Sequence, residues 1–145
     1  MKSIEVREDV KVYIWKFTNE RNYKGWNIAC DKACATFIID ILERMKKEKH
    51  SIRYIFKTNK PAKEIIKKIA YASTKSKIVS VDKVIFTMKK TQECKIQFNE
   101  DVRSLEILFH SDTVPVLQKY FLNIIESFGD VGLECNDDIL VFWRI

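Results

Sequence analysis

Glycine and proline are scarce, at three and two positions, and histidine occurs only at His50 and His110. Gly25, Gly129 and Gly132 never stand in a phosphate-cradling arrangement. Such loops need glycine for close backbone approach, so a classical P-loop and a dinucleotide fingerprint are both excluded. No nucleophile elbow, HExxH pair or EF-hand spacing occurs either. A run of 18 apolar residues is also missing, which excludes an ordinary spanning helix. The opening residues carry Lys2, Glu5, Arg7, Glu8 and Asp9 in place of a secretory apolar core. The expectation is a cytoplasmic protein with no membrane association.

Cysteine is present four times, as Cys30, Cys34, Cys94 and Cys135, spaced neither as a staple framework nor as metal knuckles. All four are expected to be reduced small hydrophobes, and no metal or cofactor is expected. The chain has enough material to fold without such help: 145 residues, 46% of them hydrophobic and 32% charged, fit one compact domain over 1–145.

The charge is strongly segregated along the chain. Between Arg44 and Lys95 sixteen Lys and Arg face four Asp and Glu, whereas from Asn99 onward three basic residues face nine acidic ones. Residues 1–43 balance at seven of each sign, so the net +6 arises from the middle of the chain. A field polarised in this way steers oppositely charged partners.

Hydrophobic periodicity gives the element order. Val10 to Phe17 alternates as a strand, and Tyr23 to Cys30 returns beside it as a hairpin. Asp31 suits the N-cap of a helix over 31–48, whose buried stripe is Cys34, Phe37, Ile38, Ile41, Leu42 and Met45. Ser51 to Thr58 is a strand. Pro61 then opens a shorter helix with Ala62, Ile65, Ile66 and Ile69 inward. After a loop at 74–77, residues 78–89, 93–99 and 105–110 read as strands of an antiparallel meander, with Asp82-Lys83 as a candidate bulge or turn. A third helix, capped by Ser111, Asp112 or Thr113 and ended by Gly129, buries Leu117, Tyr120, Phe121, Ile124, Ile125 and Phe128. Residues 131–135 and 139–145 close the chain as a hairpin around Asn136-Asp137-Asp138. The order ββαβαβββαββ predicts an α+β sandwich: a mixed, mainly antiparallel sheet of six to eight strands covered by three helices.

Three functional readings follow. His110-Ser111-Asp112-Thr113 lies where a strand hands over to a helix, beside free backbone N–H groups. This makes His110, Ser111 and Thr113 candidate anion-binding residues and His110 the one candidate acid–base catalyst. The same residues also make an ordinary helix cap, which is the simpler expectation, and His50 reads as a surface residue. A nucleic-acid reading needs Lys60, Lys63, Lys67 and Lys68 to join Lys46, Lys47, Lys49, Lys75 and Lys77 on one surface, with Tyr54 and Tyr71 available to stack on bases. A protein-binding reading uses Tyr23 and Trp26 as aromatic anchors beside Lys60, Lys63, Lys67 and Lys68. The last asks least of the sequence. It describes a non-enzymatic macromolecular interaction protein, such as an inhibitor or immunity-type protein, whose basic half steers an acidic protein partner.

Overall fold

In the computed structural model the described residues are 1–18, 25–70, 77–126, 131–136 and 138–145, with backbone alone for 68–70 and 131. The expectations for Tyr23, Tyr71, Lys75, Phe128, Gly129, Asp137 and the 74–76 stretch fall outside them. The elements are β1 (Lys2–Glu5), β2 (Val12–Phe17), β3 (Trp26–Cys30), α1 (Lys32–Lys46), β4 (Ile52–Lys57), α2 (Lys63–Ala70), β5 (Ile78–Ser80), β6 (Lys83–Met88), β7 (Lys95–Asn99), β8 (Ser104–Phe109), α3 (Val114–Glu126), β9 (Val131–Cys135) and β10 (Asp138–Arg144). This is the α+β class read from the sequence, with the strands divided between two mixed sheets. The first is ordered β1-β4-β6-β8-β7 and the second β5-β2-β3-β10-β9.

The extra strands have local causes. β1 is a short edge strand parallel to β4. The expected strand 78–89 breaks at Val81-Asp82, so β5 joins β2 in the second sheet while β6 joins β4 and β8 in the first. Arg103 pins that corner. Its guanidinium donates to the Ser80 carbonyl at 2.8 Å, and its own carbonyl accepts from the Asp82 N–H at 2.7 Å. The meander expected for β6, β7 and β8 needs correction. β6 pairs with β8 in parallel, and β7 lies beyond β8 as the edge. Burial explains the exchange: β8 is apolar on both sides and takes a central position, whereas Lys95, Gln97 and Asn99 keep one side of β7 in water.

The helices follow their stripes. The Asp31 carboxylate caps α1 by accepting from the Cys34 N–H at 2.8 Å, and Cys34, Ala35, Ile38, Ile41, Leu42 and Met45 are buried. In α3 the buried positions are Val114, Leu117, Phe121 and Ile124. Gln118 ties the two helices by donating to the Ile39 carbonyl at 3.3 Å and the Glu43 carboxylate at 3.0 Å. That hydrogen bond, helped by Lys46 and Lys47 and opposed by desolvation, holds the Glu43 carboxyl below its ordinary range.

The inner faces of both sheets meet α1 and α3 in one core. A run of aromatic rings spans it from Phe37 to Phe56, Phe86, Phe121 and Phe142, with successive centroids 6.2, 5.6, 6.2 and 5.0 Å apart. A second cluster lies on the far side of the second sheet, where Ile65 and Ile66 of α2 cover Trp15, Phe17, Val141 and Trp143. Within it Asn27 is fully buried and accepts from the Trp143 indole N–H at 2.9 Å. Gly25 (φ 84°) permits the tight entry to β3, because any Cβ there would strike the Ile139 carbonyl oxygen.

The cysteine expectation is half corrected. Cys30 and Cys34 are free and buried, but Cys94 and Cys135 form a disulfide. Their strands approach as edges of opposite sheets, a proximity 41 residues apart in sequence that spacing alone does not reveal.

Candidate binding surface

One end of the first sheet gathers basic side chains. Pairing of β4 with β6 sets Ile52 opposite Met88, and pairing of β6 with β8 sets Met88 beside Phe109. The connector after α1, the connector after β6 and the entry to α3 therefore emerge together. They enclose a cleft of about 400 Å³ lined by Lys46, Glu48, Lys49, His50, Met88, Lys89, Lys90 and Ser111. The Lys89 N–H donates to the Phe109 carbonyl at 3.0 Å and fixes where that connector begins.

The charge in this cleft is poorly compensated. Glu48 is its one acidic residue, and its carboxylate lies 3.6 Å from Lys2 Nζ. Among the described residues, Lys46, Lys49, Lys89 and Lys90 enter no ion pair. Three larger clefts, of about 790, 650 and 580 Å³, have no such excess of basic over acidic residues. Concentration of one sign in a concave site focuses the field and raises the local concentration of counter-charged partners.

The His110 junction works mainly as a cap. His110 Nδ1 accepts from the Asp112 N–H at 3.1 Å, and the His110 carbonyl accepts from the Thr113 N–H at 2.9 Å. His110 thus caps the short 3-10 turn Ser111–Thr113 that leads directly into α3. His110 Nδ1 also lies 3.4 Å from the exposed Asp112 carboxylate, close enough to pair when the ring is protonated. Two backbone donors that an anion would need are therefore engaged, and of the three candidates only Ser111 lines the cleft.

The other candidate residues separate. Lys60, Lys63 and Lys67 are exposed, and α2 carries Lys68 in its backbone. α2 packs on the far side of the second sheet, whereas α1 packs on the near side, so the α2 lysines do not share a surface with Lys46 and Lys49. Trp26 is 2% exposed and belongs to the core, which corrects its reading as an interface anchor. Phe98 packs against it with centroids 5.1 Å apart, and Lys16 Nζ lies 5.8 Å from its ring. Nothing local in the sequence marks Lys89 and Lys90 as members of this cleft. Only the register of β4 against β6 would have joined them to Lys46 and Lys49.

No protein-family model matches the chain, and no curated protein matches it. Among solved structures it is similar to the crystal structure of Drosophila Suppressor of Fused, at 12% identity and a TM-score of 0.40. The match covers 98% of this chain and 29% of that one. A likeness of that degree carries no argument about function.

Proposed function

We propose that the protein is a non-enzymatic cytoplasmic binding protein that docks an acidic protein surface onto the cleft of Lys46, Lys49, Lys89 and Lys90. The observation carrying this reading is the convergence of those four lysines, from separate stretches of the chain, without an ion-pair partner among the described residues. Lysine ammonium groups on flexible stems attract carboxylates as point charges and adapt to irregular acidic surfaces. Attraction of this kind raises the association rate and makes it salt-sensitive. The cleft lining contains no Phe, Tyr or Trp ring, the broad platforms on which nucleobases stack, which favours a protein partner over a single-stranded nucleic acid.

The test is recovery of partners from the protein's own cell extract, with and without nuclease, by the unaltered chain and by Lys46→Glu/Lys49→Glu/Lys89→Glu/Lys90→Glu. A protein retained regardless of nuclease and lost with the fourfold variant is the expected result. Retention that vanishes with nuclease transfers the cleft to nucleic acid, and equal retention by the variant removes the cleft from function.

A further inference from the structure

The first sheet ends at β1, which has no strand beyond it among the described residues. It runs parallel to β4, with Lys2 opposite Ile52 and Glu5 opposite Ile55. In a parallel pair each residue sends its N–H and its carbonyl to the same side, and the side alternates along the strand. The Val6 N–H donates to the Ile55 carbonyl at 2.9 Å, so Lys2, Ile4 and Val6 turn their backbone groups toward β4. Ser3 and Glu5 therefore turn theirs outward, and both residues are exposed. An outward row of backbone donors and acceptors is a template for another strand. The other edges offer less: β9 and the start of β7 are joined by the Cys94–Cys135 disulfide, and β5 is three residues long.

We infer that two copies of this chain pair antiparallel along β1, about a two-fold axis at Ile4, and so merge their first sheets into one. The contact is separate from the docking role of the cleft. A two-fold axis perpendicular to the sheet keeps both cores on the same side, and the contact closes on itself. Centred on Ile4, it sets Ile4 against Ile4 and Ser3 against Glu5 of the second copy. Ser3 and Glu5 then exchange both backbone bonds at each of the two places, which satisfies the outward N–H and carbonyl groups of β1 in both copies. The side chains agree with this register. Ile4, half-buried at the margin of the core, gains an apolar neighbour across the axis, and Lys2 lies opposite Val6. Lys2 and Glu5 are charges of the kind that keep an edge strand from pairing at random, yet this alignment opposes no like charges. It also carries the connector after β1, where Glu5, Glu8 and Asp9 outnumber Arg7, to the end of the sheet at which the other copy bears Lys2 and Lys49. That complementarity favours a second copy over an unrelated strand.

Mass in solution, followed by light scattering through a dilution series at low salt, is expected to reach that of a dimer at the concentrated end. Ser3→Pro removes one outward N–H from each copy and none that β4 uses. It should leave the circular dichroism spectrum intact and weaken dimerisation about tenfold or more, through two lost hydrogen bonds. Ile4→Cys brings two thiols face to face across the axis, with Cα atoms about 4.5 Å apart, and should cross-link readily under a mild oxidant. Lys2→Cys places a more exposed thiol roughly 13 Å from its counterpart along the strands and should not cross-link. The chain's own Cys30 and Cys34 are buried and do not compete. A monomer at every concentration overturns the proposal. So does a dimer indifferent to Ser3→Pro, or one cross-linked no faster at Ile4 than at Lys2, since such a dimer uses another surface.

Discussion

The two sheets share one core and differ in what lies on their far sides. The second is covered there at its centre, with α2 over Trp15, Phe17, Val141 and Trp143 and with Asn27 bonded beneath them, while its edge strand β9 keeps Glu134 exposed. The first has its core on one side only. On the other it presents Lys57, Lys83, Lys95 and Gln97 to water, and Thr87 is screened there by a hydrogen bond to Glu106, which pairs in turn with Arg53 at 3.5 Å. A sheet covered at its centre on both faces has less surface left for a partner. A sheet with a wet face and converging connectors has surface to spare, and the unpaired lysines stand at its end.

Replacements ranked by expected effect break or sharpen this contrast. Phe121→Ala empties the point where the rings of both sheets meet, so it should cost about 3–5 kcal/mol and lower the stability of both together. Two separate transitions in chemical denaturation would show that the sheets are not energetically joined. Asn27→Ala removes the acceptor facing the Trp143 indole in the doubly covered sheet, at a cost of about 1–3 kcal/mol by denaturant midpoint. The same measurement on Lys83→Ala, on the wet face of the other sheet, should move by less than about 0.5 kcal/mol.

Lys63→Glu/Lys67→Glu reverses charge on α2 without touching the cleft, so partner association at low salt should change far less than with the fourfold cleft variant. If the two variants were equally damaging, net charge and not the cleft would govern binding. The smallest effect concerns acid stability. Because the folded-state pKa of Glu43 is lowered, its contribution is present above the ordinary carboxylate range and is lost as pH falls through the folded value. Glu43→Gln should therefore reduce the slope of stability against pH only in that acid window, read from melting temperatures across an acid titration.

The parts of the fold legible in the sequence are those governed by neighbours along the chain. The stripes of α1 and α3, the Asp31 cap, and the hairpins β2–β3 and β9–β10 all stand where period and turn chemistry put them. What local pattern hides is pairing across long separations. The Val81-Asp82 break involves Arg103, the parallel neighbours β6 and β8 enclose β7 in sequence, and Cys94 meets Cys135 across two different sheets. The candidate binding surface is hidden for the same reason. Its lysines were visible as an excess, but the excess is shared between α2 and the cleft, and only register separates the two groups.

The corner at residues 80–82 acts as a seam without a linker. Chain before it contributes β1 and β4 to one sheet and β2, β3 and β5 to the other, and chain after it completes both. A cut there would leave two fragments, each holding part of two unfinished sheets, so the molecule should tolerate bisection at that place only if the halves are made together and reassemble.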